Sequence, residues 1–502
     1  MTTTDQNTYG SILKAIGLFG GVKIFQIIIG IIKNKIVALL LGPSGMGIVG
    51  LITSNTQLVK SLTDFGLHTS SIREISKSYT SGDKEKTSRT LSIFRKLVII
   101  TGFLGSLVVF SFAEHLSQIS FNNHDYTSAF RLVSITLFLD QICMGQTALM
   151  QGTFHYKLMA RSSLFGSIIG LVVSIPMYYL WGVKAIVPVI ILSSLTALVL
   201  SWYFSKKIEI KKTTVSYKDA IIEGRGMLVL GLAIAIAAIA RVGKAYGLRI
   251  FISHLGGIAE VGLFTAGMTI STQYVDVILS SMGSDYSPRL AAIVDNHSSF
   301  IDVINRQIRL MCALLLPLMV IFIVFIKEVV ILLYSQEFLA IECMVTWMMF
   351  SMFLRAISWC LSFPLIAIGN SKLFLANELS SEIYSLIFSI LGFYYLSFEG
   401  LGLAFFITQL CYAIQMFYVA YKYFDFKLTL QNQNSMCEIV SILITLYIVL
   451  CFLKGTIWGY SACLLIFLIC IHYTYKQMKD MVDIKSFIQS SFIKKHDKNN
   501  QI

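Results

Sequence analysis

Charge is what the sequence lacks most. Only 13% of its 502 residues are charged, whereas 56% are hydrophobic; soluble proteins carry about 25% charge. So few polar side chains cannot cover a water-soluble globule, which excludes a soluble enzyme, a soluble nucleic-acid-binding domain and a disordered chain. Proline is also scarce, with 6 residues against 34 glycines, and this combination suits helices that pack closely in lipid. The composition predicts a polytopic membrane protein.

Metal-binding and disulfide patterns are missing as well. The nine cysteines form no CxxC pair, and the eight histidines form no cluster with metal-ligand spacing. Because nearly all the cysteines fall in apolar runs, we interpret them as small buried residues and predict no cofactor and no metal. The N-terminus lacks the basic region and cleavage site of a signal peptide, so the first membrane helix is expected to be retained.

Fourteen apolar segments approach or exceed the roughly 20 residues that cross a bilayer. They span residues 11–41, 46–72, 91–112, 129–151, 162–181, 185–204, 226–253, 259–284, 308–333, 343–368, 373–396, 401–424, 437–453 and 459–475. The last two are short, so twelve helices followed by a re-entrant hairpin is an alternative. We predict an all-α polytopic membrane protein with about 14 transmembrane helices.

The net charge of +13 lies in short loops rather than on one soluble face, which argues against a nucleic-acid partner. If the N-terminus is cytoplasmic, the cytoplasmic loops and the C-terminal tail carry 27 Lys and Arg residues. The opposite loops carry 3, namely Lys184, Lys327 and Lys454. This strong positive-inside asymmetry predicts that both termini are cytoplasmic if the number of spans is even.

One internal repeat divides the chain. Lys35-Ile-Val-Ala-Leu-Leu-Leu-Gly42 leads into Gly47, and Arg249-Ile-Phe-Ile-Ser-His-Leu-Gly256 leads into Gly262, 214 to 215 residues later. Six helices separate the two copies, so the halves are parallel repeats related by an axis along the membrane normal, a layout that transporters use for alternating access. The predicted divisions are an N-terminal six-helix lobe (1–212), a C-terminal six-helix lobe (213–430), an extra transmembrane hairpin (431–480) and a cytoplasmic basic tail (481–502).

The first copy of the repeat also contains a GxGxxG pattern at Gly45, Gly47 and Gly50. This fingerprint binds dinucleotides only after a strand in a βαβ unit. Here it follows a membrane helix and begins another, so we interpret the glycines as a tight turn with a close helix contact.

Three motifs resemble a known family. Asn34-Lys-Ile-Val-Ala-Leu-Leu-Leu-Gly-Pro-Ser-Gly-Met-Gly47 resembles the first helix and turn of O-antigen and polysaccharide flippases. Asp64-Phe-Gly-Leu67 with Ile72-Arg-Glu-Ile75 resembles the end of their second helix, and Ser284-Asp-Tyr-Ser-Pro-Arg-Leu290 resembles the close of their eighth. The chain thus resembles the multidrug/oligosaccharidyl-lipid/polysaccharide (MOP) exporter superfamily over roughly residues 10–425.

The resemblance implies two six-helix lobes around a central cavity in the bacterial cytoplasmic (inner) membrane. It implies movement of an undecaprenyl-pyrophosphate-linked oligosaccharide, such as an O-antigen unit for lipopolysaccharide, from the cytoplasmic to the outer leaflet. A polysaccharide polymerase and a chain-length regulator are the partners that it implies. The predicted hairpin extends beyond the common twelve-helix pattern.

Cations within the predicted spans are the candidate substrate-binding residues, because a charge facing lipid at the bilayer centre costs about 2.5–3.5 kcal/mol on insertion scales. The seven candidates are Lys23, Lys33, Lys35, Arg241, Lys244, Arg249 and Arg355. Lys23, Gln26, Gly30 and Lys33 follow the spacing of one helix face. A wet cavity lined with such cations would replace the hydration of a lipid pyrophosphate. Salt-bridge pairing and snorkelling to the interface are the alternatives.

Acidic residues within spans leave two further interpretations open. Asp64, Asp140, Asp276 and Glu382 could couple transport to H⁺ or Na⁺, or serve as salt-bridge partners of the cations. The alternative to a flippase is therefore a cation-coupled multidrug or metabolite exporter. An enzyme is not predicted, because the external loops are short and their polar cluster of Glu114, His115, His124 and Asp125 is typical of a solvated loop.

Overall fold

The computed structural model describes residues 3–208, 210, 213–294, 296–453 and 456–481, and the side chains of residues 3–24 lie outside the description. No strand occurs in this part of the chain, which confirms the all-α prediction. The helices are α1 (Thr3–Thr63), α2 (Leu67–Thr80), α3 (Lys84–Ser111), α4 (Ala113–Phe121), α5 (Thr127–Gly152), α6 (Tyr156–Trp181), α7 (Ile186–Ser205), α8 (Tyr217–Glu223), α9 (Arg225–Gly256), α10 (Ile258–Ala292), α11 (His297–Val324), α12 (Ile326–Leu333), α13 (Glu342–Ala367), α14 (Ser371–Phe424), α15 (Leu430–Leu453) and α16 (Ile457–Met481).

Most of the described helices are long and apolar. Nine helical stretches of the described chain are long and apolar enough to cross one. Two of these, Tyr156–Ser205 and Lys372–Phe424, are 50 and 53 residues long and each contains two of the predicted segments. The chain is therefore a multi-pass membrane protein, and the exact count of fourteen spans stays a prediction.

The Leu-Gly ends of the repeat are backbone breaks. Gly42 interrupts α1 at φ 64° and ψ −169°, and Gly257 separates α9 from α10 at φ 92° and ψ 177°. This region of the Ramachandran plot is essentially open to glycine alone. In the repeat, Gly256 corresponds to Gly42. The helix of the second copy ends one residue later, at Gly257. The two copies of the repeat thus turn in the same way.

Glycines just after these breaks let the two copies meet. A Cβ on Gly47 would lie 1.9 Å from the carbonyl oxygen of Ile258, and a Cβ on Gly262 would lie 1.9 Å from the carbonyl oxygen of Pro43. Gly262 lies 215 residues after Gly47, and Ile258 lies 215 residues after Pro43, so the contact is reciprocal between the two copies. The interpretation of Gly47 as a close helix contact is confirmed.

The chain forms two compact units. The first comprises Met1–Ala266 with Ile331–Phe338, and the second comprises Gly267–Val330 with Leu339–Ile502. The first unit holds α1 to α9 and the start of α10, and α9 packs along α1 and α2. The lobe boundaries at 212 and 430 rest on the repeat and stay a prediction.

In the second unit, α15 and α16 form a helical hairpin that packs on α11. The buried Asn432 donates hydrogen bonds to the backbone oxygen and the side-chain Oδ1 of Asn305 in α11, at 2.9 and 2.8 Å. Thr474 of α16 donates to the carbonyl oxygen of Ala313, at 2.7 Å. The short final segments are thus helices of 24 and 25 residues, anchored by polar contacts.

Candidate functional site: a hydroxyl-lined pocket with a lysine

A pocket of about 340 Å³ with several polar side chains in its lining lies among α1, α5, α6 and α7 of the first unit. Its polar lining comes from the side chains of Gln26, Lys33, Thr147, Ser162, Ser163, Ser167 and Ser193. No carboxylate is among its described lining residues. The pocket therefore offers five hydroxyl groups, one amide and one cation in a helical region that is otherwise apolar.

Small residues on one face of α6 open this pocket. Ser162, Ser163, Gly166, Ser167 and Gly170 recur at helical spacing, and all five line it. Because none carries a bulky side chain, α6 leaves space in front of α1 and exposes hydroxyl groups to it. The Ser167 hydroxyl donates back to the carbonyl oxygen of Ser163 at 2.9 Å, an ordinary arrangement for serine in a membrane helix.

The predicted face of the first helix lines the pocket. Gln26, Gly30 and Lys33 all border it, and the Gln26 amide donates to the Ser163 hydroxyl. Lys33 is half-buried and makes no hydrogen bond or ion pair within the described part of the chain. The side chain of Lys23, the fourth predicted member of this face, lies outside the described residues.

Lys35 has a different environment from Lys33. Its ammonium group donates to the carbonyl oxygens of Ile331 and Tyr334, at 2.7 and 2.5 Å. These oxygens lie at the C-terminal end of α12, where backbone carbonyls have no partner within the helix. Lys35 therefore caps the C-terminal end of α12, and its role in substrate binding stays a prediction.

The three predicted cations of α9 have different environments. Arg241 is exposed, whereas Lys244 is half-buried and engaged in an interaction. The guanidinium group of Arg249 donates to the carbonyl oxygen of Ala245 at 3.1 Å and lies 5.7 Å from the ring centroid of Phe264. Its Nε is buried without a hydrogen-bond partner. Arg249 is thus packed inside the first unit.

Arg355 is neutralised in the second unit. Its guanidinium group lies 2.5 Å from Oδ1 of Asp276, and the two side chains are 26% and 51% exposed. Two residues with different predicted roles, a substrate cation and a coupling carboxylate, are therefore one ion pair. This arrangement matches the salt-bridge alternative.

The two predicted carboxylates of the first unit, Asp64 and Asp140, have different environments. Asp64 lies in the turn after α1 rather than on its face, where its carboxylate accepts the backbone N–H of Gly66 at 2.8 Å. The turn occurs because Phe65 and Gly66 both have positive φ angles, which ends the helix. Asp140 is half-buried on α5 and makes no hydrogen bond among the described residues.

A polar network joins the two limbs of α14, which bends at Leu396 and Ser397. On the first limb, Glu378 accepts a hydrogen bond from the Tyr412 hydroxyl, and Asn377 accepts one from the Gln415 amide. Glu382 lies one turn after Glu378 and is half-buried.

Sequence reasoning missed three members of this network, Asn377, Tyr412 and Gln415. The i, i+3 spacing of Tyr412 and Gln415 within an apolar run was the available signal. The network does not form a metal centre, since the described residues contain no group of three or more His, Cys, Asp or Glu side chains placed to hold an ion.

Residues 36–342 match the sequence model of the polysaccharide biosynthesis protein family. Because this match covers more than half of the chain, the protein belongs to that family. No curated protein sequence is significantly similar to the chain.

Solved structures with the same fold are MOP superfamily transporters. An inward-facing multidrug resistance MATE family transporter superposes with a TM-score of 0.69 at 16% identity, covering 80% of this chain and 94% of its own. The lipid II flippase MurJ, in an inward closed conformation, superposes with a TM-score of 0.67 at 12% identity, covering 92% and 99%. A third structure is a MOP superfamily transporter from Pyrococcus furiosus, reported to have a binding pocket of reversed polarity. It superposes with a TM-score of 0.61 at 16% identity, covering 82% of this chain and 96% of its own. The predicted MOP-type fold is confirmed.

Proposed function

We propose that the protein is a flippase for an undecaprenyl-pyrophosphate-linked oligosaccharide. It would move an O-antigen unit, or a similar surface glycan, from the cytoplasmic to the outer leaflet of the bacterial inner membrane by alternating access. The observation that carries the proposal is the pocket at Lys33, where hydroxyl groups and a cation replace the carboxylates that a cationic substrate would need. Hydroxyl and amide groups can exchange hydrogen bonds with sugars, and a lysine can pair with a phosphate.

The transport step requires no covalent chemistry. A lipid pyrophosphate cannot cross hydrocarbon bare, and fixed donors such as Lys33 would offset the loss of its hydration. The family match to polysaccharide biosynthesis proteins supports a glycan as cargo. A polysaccharide polymerase and a chain-length regulator would act on the product in the outer leaflet.

Deletion of the gene in its host tests the proposal. Undecaprenyl-pyrophosphate saccharides should accumulate and the surface glycan should be lost, and the wild-type gene should restore both. Lys33→Ala should lower the transport rate about 10- to 100-fold, because a hydrogen bond to a charged group contributes about 1.5–3 kcal/mol. Lys33→Arg should retain most activity.

Lys157→Ala is the matched control, since Lys157 is an exposed lysine of α6 outside the pocket, and it should rescue fully. Normal lipid intermediates and a normal surface glycan in the deletion strain would contradict a flippase. Full rescue by Lys33→Ala would remove the pocket from the mechanism.

A cation-coupled exporter is the second candidate, and the α14 network favours it. Glu378 and Glu382 place two carboxylates one helical turn apart in an apolar helix, and buried carboxylates can titrate or bind Na⁺. If Glu378→Gln abolishes export of a small molecule while Lys33→Ala leaves it unchanged, the exporter is the correct function. H⁺ or Na⁺ coupling through this network is equally compatible with a flippase.

A further inference from the structure

A second and larger polar cavity lies at the end of the first unit where α3 begins and α7 ends. Its volume is about 1110 Å³. Its described lining consists of Tyr79, Gly82, Lys84, Thr87, Arg95, Gln146, Trp202, Ser205, Lys206, Ile208 and Ile210. We call it the basic pocket. It is separate from the pocket at Lys33, with which it shares no lining residue.

The charge of the basic pocket is of one sign. Lys84, Arg95 and Lys206 line it, and no Asp or Glu is among its described lining residues. Two nearby carboxylates are already engaged. Asp83 caps α3 by accepting the backbone N–H groups of Glu85 and Lys86, at 3.0 Å each, and Glu223 pairs with Arg89. The lining of the pocket itself therefore carries three cations and no carboxylate.

Arg95 is an exposed cation of this pocket. Its guanidinium group makes no hydrogen bond or ion pair with any described residue, and Gln146 beside it also has no described hydrogen-bond partner. Arg95 and Gln146 also border a smaller adjoining cavity, so both face open space on the α3–α5 side. A guanidinium group offers five N–H donors in a planar fork that suits phosphate oxygens.

Two neighbouring cations, Lys96 and Lys207, lie over aromatic rings as Lys206 does, but outside the pocket. The ammonium group of Lys96 lies 4.0 Å from the ring centroid of Tyr217, and that of Lys207 lies 4.8 Å from the ring centroid of Tyr203. Neither lysine lines the basic pocket. Only some of the cations in this part of the described chain therefore line the pocket.

The position of the pocket indicates a membrane interface. Trp202 and Lys206 close the C-terminal turn of an apolar helix, and the Lys206 ammonium group lies 3.5 Å from the ring centroid of Trp202. Aromatic residues followed by lysines are typical of the headgroup level, where lysines snorkel toward water. Trp202, Ile208 and Ile210 add an apolar wall, which a free soluble anion would not need.

We propose that the basic pocket binds the phosphate headgroup of an anionic phospholipid of the surrounding bilayer. Arg95 and Lys206 hold the phosphate oxygens, Gln146 and Tyr79 contact the polar headgroup, and the apolar wall contacts the start of the acyl chains. Basic pockets at this level between transmembrane helices are suited to anionic headgroups. This site requires neither the proposed cargo nor the proposed transport cycle.

Native mass spectrometry of the purified full-length protein in detergent tests the proposal. Phosphatidylglycerol and phosphatidylcholine are titrated separately, and the wild-type protein should retain phosphatidylglycerol selectively. The double variant Arg95→Gln/Lys206→Gln should bind phosphatidylglycerol about 30-fold more weakly, because each cation near an anionic headgroup contributes about fivefold. The matched control is Lys96→Gln/Lys207→Gln, which removes the same charge outside the pocket and should leave the affinity unchanged.

A charge-preserving variant, Arg95→Lys/Lys206→Arg, is the control for misfolding. It changes the same two positions and should keep selective binding of phosphatidylglycerol. Equal phosphatidylglycerol affinity in the pocket variant and its control would overturn the proposal. Competition by inorganic pyrophosphate at the same concentration as the lipid would overturn it in favour of a soluble anion. Strong preference for a polyprenyl pyrophosphate over phosphatidylglycerol would overturn it in favour of the cargo.

Discussion

Lys33, Lys35 and Arg355 all lie within apolar helices, yet the structure gives each a different environment. Lys33 borders a hydroxyl-lined pocket. Lys35 caps a helix by donating hydrogen bonds to two of its terminal carbonyl oxygens, and Arg355 pairs with Asp276. Each arrangement avoids exposing a bare charge to lipid, which is the costly alternative. A cation in a predicted span therefore indicates that a polar partner exists, without indicating which kind.

Helical periodicity was enough to place Gln26, Gly30 and Lys33 on one face, because residues of one helix keep a fixed geometry. The serines of α6 that complete the pocket could not be predicted, since they come from a different helix. The Lys35 cap was equally out of reach, because its acceptor Ile331 lies 296 residues away. Local spacing determines a face, whereas tertiary packing determines what that face meets.

The Arg355–Asp276 pair gives a test at the same scale. Asp276→Asn should lower the free energy of unfolding by about 0.5–1 kcal/mol, because Arg355 loses the carboxylate of a partly exposed ion pair. The double variant Asp276→Asn/Arg355→Gln should recover part of this loss, since it removes the unpaired cation as well. The measurement is thermal unfolding in detergent, with Asp276→Glu as the conservative control. Strictly additive effects of the two substitutions would contradict the pairing.

At the level of elements, the Leu-Gly ends of the repeat predicted where two helices turn. Gly42 and Gly257 adopt a backbone conformation that other residues avoid, so the sequence carried this information locally. The turn at Phe65 and Gly66 was missed, because the apolar segment 46–72 continues across it. The bend of α14 at Leu396 and Ser397, by contrast, falls at the boundary between the predicted segments 373–396 and 401–424. A turn inside an apolar segment, such as the one at Phe65 and Gly66, leaves no clear compositional mark.

The reciprocal glycine contact predicts a sharp asymmetry among glycine substitutions. Gly47→Ala and Gly262→Ala should each destabilise the protein by about 1–3 kcal/mol, because the added methyl group meets a backbone carbonyl that cannot rotate away. Gly247→Ala is the control: it lies within α9 and has nothing within 4 Å of its added Cβ. It should be neutral or slightly stabilising, by about 0.5–1 kcal/mol. Thermal unfolding of the three variants is the measurement, and equal effects would contradict the contact.

For the whole molecule, composition alone was sufficient to predict a multi-pass α-helical protein, because a chain with so few charges has no other way to satisfy its backbone in lipid. The division into two compact units was harder to predict from the sequence. Helix α9 packs with the first unit, although the repeat assigns it to the second half. A repeat reflects similarity of sequence, whereas a compact unit reflects the contacts of the folded chain.

Orientation is the prediction that belongs to this scale. In a variant without the nine native cysteines, Lys184→Cys should react in intact cells with a membrane-impermeant thiol reagent, because it lies in a sparsely basic loop. Lys218→Cys, in the basic stretch 205–226, should react only after the membrane is permeabilised. The reverse pattern would contradict the predicted cytoplasmic position of both termini.

The contact of Gly47 with Ile258 and of Gly262 with Pro43 has a consequence for the history of the chain. It is isologous in the sense used for twofold dimers, since each copy offers the same glycine to the same carbonyl position of the other. A half-length polypeptide with one copy would already hold both sides of this contact and could form it with a second molecule of itself. Fusion of two such genes would then convert a homodimer interface into an internal one, and later divergence of the copies would be limited by a pair of glycines that must be kept together.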